Sequence, residues 1–289
     1  MDKWITAVIY GLGQGGILFL VSLALSIGYG LMRVVNMESM LYYTFGAYVS
    51  YTIMKVTGNF FFGALCAFGI GAILGFIVET QLLRRLYHKE MMFTVSATYS
   101  VFLIGIGFVQ FIWGLNPKPV AMPIDKMVRI IGVSIPVYRV IVFIVAAVVY
   151  VLITLMLNRT IAGKAIMAGV DSRPQVEALG INVNKIFTVT FVIASGIAGL
   201  GGALNAPMMM VGPYMGFDML LLSFITVIFG GLGSVKGTAL SALIMGQVMS
   251  LGGTLWSPLA FIAPFLVMFI VILVRPNGLF GVKGASYAG

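Results

Sequence analysis

Nine apolar stretches separated by short polar turns constrain this chain more than any other feature. They cover residues 5–31, 38–56, 60–83, 91–115, 137–157, 186–206, 217–233, 236–254 and 258–274. Of 289 residues, 61% are hydrophobic and 9% are charged, so a water-soluble domain has too little polar surface to cover the apolar side chains. Helices of about 20 apolar residues span a bilayer. The sequence predicts an all-α integral membrane protein, with one transmembrane domain over 1–289 and a bundle of about 8–10 membrane segments.

Two stretches are weaker candidates for a full crossing. Segments 38–56 and 217–233 are short, interrupted by Gly or Ser, and bounded by polar turns. Each is interpreted as a crossing or as a re-entrant or broken helix. A broken helix would have to be surrounded by protein or by a water-filled cavity, because irregular backbone is tolerated at membrane depth only there. Paired short segments often mark the pathway of a transporter. Full crossings are expected at 5–31, 60–83, 91–115, 137–157, 186–206 and 258–274.

A polar island at residues 158–185 interrupts the apolar pattern. It holds the signals of one short helix over 173–179: a cap, a proline tolerated in the first turn, and a glycine suited to a left-handed stop. These signals come from Asp171 or Ser172, with Gln175 at capping-box spacing, and from Pro174 and Gly180. Such a helix is too short to span a bilayer or to be stable alone.

The short helix therefore needs something to pack against. Val176 and Leu179 are predicted to form its apolar face, with Arg173 and Glu177 available for polar contacts. Two interpretations remain open: the helix lies in the groove of a partner protein, or it rests on the lipid surface.

Charge placement predicts which side of the membrane the island occupies. If all nine stretches cross and the island is cytoplasmic, eleven Lys and Arg residues lie inside and six lie outside. The positive-inside rule favours this orientation in the inner (cytoplasmic) membrane. The net charge of +9 comes from residues at segment ends, with no basic stripe among aromatics, so we expect no nucleic-acid partner. The side of the N-terminus depends on whether the weaker segments cross.

The sequence lacks the patterns of catalysis, metal binding and nucleotide binding. The single histidine, His88, lies in a basic turn, and no HExxH pattern or Cys/His cluster is present. The GGLGSVKGT stretch (230–238) lacks the Gly-Lys-Ser/Thr order of a phosphate loop. No ionisable network threads the predicted helices, as an ion-coupled carrier requires. We expect no catalytic residue, metal or cofactor, and an energy source outside the chain.

Two acidic residues at segment starts have two interpretations each. Glu38, after Asn36, and Asp218 fit N-terminal helix caps, stabilised by free N–H groups and the helix dipole. The alternative for both is contact with a transported solute.

Two further regions have predicted roles. Small residues four apart in segment 186–206 predict close helix packing, within the chain or at a dimer interface. These residues are Ala194, Ala198 and Gly202 on one face and Ser195, Gly199 and Ala203 on the next. The loop 116–136 holds four prolines and is not expected to be continuous helix. It either contacts an external partner or is a plain connector.

Motifs along nearly the whole chain resemble one family of membrane permeases. They are GYGLMRVVN (28–36), FGAYVS (45–50), AGKAIMAGVDSRPQVEALGINVNKI (162–186), SGIAGLGGAL (195–204), FGGLGSVKGTALSA (229–242) and VRPNGLFG (274–281). In this order they are similar to permease subunits of branched-chain amino acid ABC importers, and 162–186 resembles the cytoplasmic coupling segment of those subunits. After Asn36 the family usually continues Phe-Ala-His-Gly, where this chain has Met37-Glu38-Ser39-Met40.

The resemblance implies a division of labour among subunits. The chain pairs with a second, similar permease or with a copy of itself. Two cytoplasmic ATP-binding subunits dock on the coupling segments, and an extracytoplasmic solute-binding protein delivers the substrate. The chain is then not an enzyme, because ATP hydrolysis lies in the partner subunits.

The resemblance also assigns residues to two tasks. The coupling residues are Gly163, Lys164, Asp171, Ser172, Arg173, Pro174, Glu177, Leu179 and Gly180, with Gly163, Gly169 and Gly180 expected as turns. The residues of the substrate pathway are Asn36, Glu38, Asp218, Gly231 and Gly233. The departure after Asn36 leaves the solute open between branched-chain amino acids and another small solute, such as an amide, a sugar or a nucleoside. An ion-coupled carrier, a channel and a lipid-modifying enzyme are the competing classes.

Overall fold

Long apolar helices dominate the computed structural model, which describes residues 2–32, 36–86, 89–130, 133–171, 173–275 and 278–280. The helices are α1 (Asp2–Met32), α2 (Ser39–Thr57), α3 (Phe60–Val78), α4 (Arg84–Leu86), α5 (Met91–Trp113), α6 (Val137–Arg159), α7 (Ile161–Asp171), α8 (Arg173–Ala178), α9 (Val183–Asn205), α10 (Met215–Gly230), α11 (Val235–Leu255) and α12 (Leu259–Val274). A π-helical turn, Glu79–Leu83, joins α3 to α4. The predicted His88 and Ser172 features lie outside the described residues.

The predicted helical membrane bundle is confirmed. Six helices in the described part of the chain are long and apolar enough to cross a membrane: Lys3–Gly30, Phe60–Leu86, Met92–Trp113, Val137–Arg159, Val183–Asn205 and Val235–Leu255. The last segment expected to cross fully, 258–274, is the 16-residue helix α12. At 1.5 Å per residue it spans about 24 Å, less than the hydrocarbon thickness.

Helix α9 is the centre of the bundle because its small residues let three helices approach closely. A Cβ atom on Gly199 would meet the carbonyl of Ala67 in α3, and one on Gly202 would meet the carbonyl of Tyr43 in α2. A Cβ atom on Gly201 would lie 3.0 Å from Val21 Cγ2 in α1. The small-residue faces of α9 therefore pack within the chain.

Helix α10 begins inside the bundle rather than at its surface. The ring of Phe217 lies 4.8 Å from that of Phe102, the central residue of α5. A Cβ atom on Gly216 would lie 2.7 Å from Thr44 Oγ1 in α2. Of the two interpretations of segment 217–233, the structure favours the broken helix, because 16 residues starting at this depth do not cross the bundle.

Segment 38–56 forms the 19-residue helix α2, which is longer than the 16-residue helix α10. It runs beside α5, since the Met37 amide donates to Thr98 Oγ1 at 3.4 Å and the Trp113 indole donates to Thr52 Oγ1 at 2.8 Å. Its end at Gly58 is left-handed, with φ of 69°.

The proline-rich loop after α5 contains no helix in its described residues, as its prolines predict. It contains a small hairpin of antiparallel strands, β1 (Met127–Ile130) and β2 (Val133–Pro136). Lys118 forms an isolated bridge with Val211, which ties the loop to the segment before α10.

The packing of α9 predicts that alanine substitutions at two glycines have different effects on stability. Gly202→Ala is expected to lower the stability of the purified protein by about 1–3 kcal/mol, because the methyl group meets the Tyr43 carbonyl. Gly107→Ala in α5 meets no atom within 4 Å and should be neutral or slightly stabilising. Thermal melting in detergent compares the two variants. Equal melting temperatures would show that the α9 contact is looser than described.

Candidate functional site: coupling segment and buried polar cluster

The coupling segment (residues 158–185) contains two helices where the sequence predicted one. Helix α7 begins after Thr160, whose Oγ1 accepts a hydrogen bond from the Gly163 amide at 2.9 Å. The prediction of turns at Gly163 and Gly169 is wrong, because both residues lie within α7. A Cβ atom on Gly163 would meet the carbonyls of Met156 and Leu157, so this glycine permits the sharp α6–α7 corner. Asp171, predicted as a helix-start cap, is the last residue of α7.

Helix α8 is the short helix that the sequence predicted, and it ends at Ala178 instead of residue 179. Gly180 has φ of 78°, the left-handed stop expected for this glycine. The predicted shared apolar face is wrong: Val176 is buried against the chain, whereas Leu179 is 78% exposed. Leu179 is exposed, as are the apolar side chains of Ile161 and Met167 in α7.

Both short helices are attached to the start of α9. A Cβ atom on Gly169 would lie 3.3 Å from Val183 Cγ1 and 3.4 Å from the Phe187 ring. Asn182 Oδ1 accepts from the Lys185 amide at 3.0 Å and caps α9. Residues of the coupling segment therefore pack directly against the start of the central helix.

A buried polar network connects the same end of α9 to α3. Glu79 is fully buried, and its Oε2 accepts a hydrogen bond from Thr188 Oγ1 at 2.8 Å. Arg84 Nη2 lies 3.2 Å from the same carboxylate oxygen and donates to Thr188 Oγ1 at 2.8 Å. The charge of Glu79 is thus compensated by a cation and a hydroxyl, as a buried carboxylate requires.

The π-helical turn makes this network possible. In a regular α-helix, residues 79 and 84 point about 140° apart, because each residue turns the chain by about 100°. In the wider turn the Arg84 amide donates to the Glu79 carbonyl, the i→i+5 bond of a π-helix. This brings both side chains onto the face that meets α9.

A second polar group occupies the break between α1 and α2. Asn36 and Glu38 are 2% and 0% exposed. Asn36 Oδ1 accepts from the Ser39 amide at 3.2 Å, so Asn36 caps α2, and the capping interpretation of Glu38 is wrong. No described residue donates a hydrogen bond to either carboxyl oxygen of Glu38.

Two tyrosines in the first turn of α2 link Glu38 to Asp218. Tyr42 is buried within electrostatic reach of Glu38. Tyr43 accepts a hydrogen bond from Asn205 Nδ2 at 2.5 Å and lies within electrostatic reach of Asp218. We name these six residues the polar cluster: Asn36, Glu38, Tyr42, Tyr43, Asn205 and Asp218.

Asp218 is exposed and lies in the first turn of α10. The helix begins at Met215, after Tyr214, so the prediction that Asp218 is its N-terminal cap is wrong. Its carboxylate still lies close to the positive end of the α10 dipole.

The two predicted pathway glycines lie apart from the polar cluster, at the other end of α10. Gly231 and Gly233 have φ of 101° and 80°, and a Cβ atom on Gly30 would lie 3.2 Å from Gly233 Cα. The Leu279 and Phe280 amides donate to the carbonyls of Phe229 and Gly230 at 2.9 and 3.0 Å. This turn therefore joins the ends of α1 and α10 to the C-terminal segment.

Comparisons with known proteins identify the family of this chain. The family model described as "Branched-chain amino acid transport system / permease component" matches residues 7–274. The chain belongs to this family of permease components.

Relatives in the family are distant in sequence but similar in length. The branched-chain amino acid permease protein LivH of Salmonella typhimurium is 25% identical, over 94% of this chain and 93% of its own. A probable LivH of Methanocaldococcus jannaschii is 26% identical, over 96% of this chain and 91% of its own. A solved structure, PsaBC from Streptococcus pneumoniae in complex with Fab, has a TM-score of 0.49 at 15% identity, covering 96% of this chain and 91% of its own.

Family membership confirms the predicted permease subunit. A permease component is the membrane part of a transport system, which agrees with the prediction that the chain is not an enzyme. Such a component works with ATP-binding and solute-binding partners in general.

Sequence reasoning missed the connections made by Thr188, Tyr42, Tyr43 and Asn205. The available signals were weak: two adjacent tyrosines, an amide at the end of an apolar helix, and Glu79 in an apolar segment five residues before Arg84. Spacing of five does not place two residues on one α-helical face, so only the π-helical turn reveals the pair.

The network predicts different effects for two buried threonines of α9. Thr188→Val should destabilise the protein by about 1–3 kcal/mol, because Arg84 loses an acceptor and Glu79 loses a hydroxyl group 2.8 Å away. Thr190→Val should have a smaller effect, since the Thr190 hydroxyl donates to the Ile186 carbonyl within its own helix. Melting temperatures of both variants in detergent compare the two effects. Equal decreases in melting temperature would contradict the role of Thr188 in the network.

Proposed function

We propose that this chain forms the translocation pathway of an ATP-driven ABC importer for branched-chain or related amino acids. The observation that carries the proposal is the polar cluster, whose buried members lie inside the bundle of a permease component and include a carboxyl group with no described hydrogen-bond donor. Ionisable groups inside a membrane are expensive, and they usually mark substrate or ion pathways.

The chemistry of the polar cluster matches that of an amino acid. The carboxyl groups of Glu38 and Asp218 suit an ammonium group, and Asn205 and Tyr43 offer an amide and a hydroxyl to a carboxylate. Phe102 and Phe217, 4.8 Å apart, provide an apolar wall beside the start of α10 for an aliphatic side chain. Names of the relatives at about 25% identity support the same solute class.

The described conformation is closed around part of this cluster. Glu38 has no exposed surface, whereas Asp218 is exposed at the start of α10. Substrate therefore reaches Glu38 only after α2 and α10 separate. This opening requires energy, which the ATP-binding partners supply.

The coupling segment receives that energy. Ile161 and Leu179 are 83% and 78% exposed, and with Met167 they make the exposed surface of α7 and of the turn after α8 partly apolar. A cytoplasmic ATPase covering this surface moves α9 through the contacts of Gly169 with Val183 and Phe187. The Glu79–Arg84–Thr188 network passes the same movement to α3.

The complete importer contains permease subunits, ATP-binding subunits and a solute-binding protein. This chain lies in the inner membrane with its coupling segment in the cytoplasm, as the distribution of eleven basic residues inside and six outside supports. It pairs with a second similar permease or with a copy of itself. Two cytoplasmic ATP-binding subunits and an extracytoplasmic solute-binding protein complete the assembly.

Uptake of labelled leucine by the assembled importer in vesicles tests the solute class. Unlabelled isoleucine and valine should compete, whereas an amide, a sugar and a nucleoside should not. If uptake of the label is blocked by only one of these other solutes, and not by isoleucine or valine, that solute replaces amino acids as the proposed substrate.

Glu38 is expected to determine affinity in the same assay. Glu38→Gln removes the negative charge but keeps the shape, and should weaken uptake about 10–100-fold, the equivalent of one charge-assisted hydrogen bond of about 1.5–3 kcal/mol. Glu90→Gln, at an exposed residue before α5, should leave uptake unchanged. Normal uptake by the Glu38 variant in a correctly assembled complex would remove Glu38 from the pathway.

Leu179 is expected to contribute to docking of the ATPase. Leu179→Asp should reduce co-purification of the ATP-binding subunit at least tenfold, because a charge replaces an apolar contact. Leu115→Asp is the matched control. Leu115 is 65% exposed and follows the C-terminal end of α5, outside the coupling segment. Equal recovery of the ATPase with both variants would place the docking surface elsewhere.

A further inference from the structure

A cavity of about 480 Å³ lies at the end of the bundle opposite the coupling segment. The start of α1, the start of α6 and the end of α11 enclose it, through residues that include Lys3, Tyr10, Arg139, Ser250 and Thr254. Its volume suits a small ligand or the headgroup of a lipid. The polar cluster and the coupling segment have no residue in its lining.

The cavity is positively charged, and the described residues of its lining include no carboxylate. Lys3 and Arg139 both face it, and neither forms an ion pair with a side chain that the structure describes. Arg139 is half-buried, with its guanidinium carbon 3.9 Å from the centre of the Tyr10 ring. The cation–π contact fixes the orientation of the guanidinium group, and no described carboxylate pairs with its charge. Two cations converging on one cavity form a site for an anion.

Polar groups without charge surround the two cations. Gln14, Ser250 and Thr254 line the same cavity and offer amide and hydroxyl groups. Ser250 donates to the Ala7 carbonyl at 2.6 Å, which leaves its oxygen free to accept a hydrogen bond from a ligand hydroxyl. The lining therefore suits an oxyanion attached to a polyhydroxyl or amine group.

The position of the cavity indicates where the anion comes from. Trp4 and Trp256, 48% and 60% exposed, lie beside its lining residues, together with exposed Val8 and Leu255. Exposed tryptophans at helix ends are typical of the interface between membrane and water, at the depth of the lipid headgroups. The abundant anion at this depth is the phosphate of a phospholipid.

We propose that this cavity binds the phosphate group of a phospholipid, with Lys3 and Arg139 as its cationic contacts. The lipid would connect α1, α6 and α11, the three helices whose residues line the cavity. An anionic phospholipid such as phosphatidylglycerol is favoured over a zwitterionic one, because the cavity carries two positive charges and no compensating carboxylate in its lining.

Lipid binding to the purified full-length protein tests this proposal. Native mass spectrometry and thermal melting in detergent would follow titration with phosphatidylglycerol. Lys3→Gln combined with Arg139→Gln should weaken lipid binding at least tenfold and abolish the rise in melting temperature. Lys55→Gln combined with Lys126→Gln removes the same charge from exposed residues outside the cavity and should bind lipid normally.

A charge-retaining variant separates binding from folding. Arg139→Lys should keep most of the affinity if the charge holds the phosphate. Inorganic phosphate and glycerol 3-phosphate serve as headgroup probes without acyl chains. Equal lipid binding by the two double variants would overturn the proposal. Protection by inorganic phosphate as strong as that by lipid would also overturn it, in favour of a soluble phosphate ligand.

Discussion

The close approach of α9 to α2 and α3 is the contact on which the rest of the structure depends. Gly199 and Gly202 allow the carbonyls of Ala67 and Tyr43 to lie against the backbone of α9. In lipid there is no hydrophobic drive between helices, so such packing replaces the burial energy of a soluble core. Because the backbones meet, Tyr43 reaches Asn205 at one end of α9 and Glu79 reaches Thr188 at the other.

Two fully buried glutamates in this bundle have opposite environments. Glu79 is compensated by Arg84 and Thr188, so its burial holds α3 and α9 together at modest free-energy cost. Glu38 has no hydrogen-bond donor among the described residues, and a lone carboxyl group at this depth destabilises the closed conformation. A compensated carboxylate indicates a structural joint, and we propose that a buried carboxyl group without a described donor marks a site that a solute completes.

Sequence patterns predicted structure well where residues within a single helix or loop determine its conformation. The apolar segments, the left-handed stop at Gly180 and the absence of helix in the described proline-rich loop follow from local chemistry. The predictions failed where two elements meet. Gly163 was expected in a turn, but it lies in a helix packed against the end of α6. Val176 and Leu179 were expected on one exposed face, but α8 buries the first against the chain.

By itself, the sequence determined that this chain is a bundle of membrane helices with a polar coupling segment, because hydropathy and turn residues act over short distances along the chain. Its motifs also indicated a permease without its own energy source. Only the tertiary structure decided that Glu38 and Asp218 gather around Tyr42 and Tyr43, and that Glu79 finds Thr188. The contacts of Glu79 with Thr188 and of Tyr43 with Asn205 join residues 109 and 162 positions apart, and their geometry depends on helix crossing and on one π-helical turn. Neither feature leaves a periodic signal in the sequence.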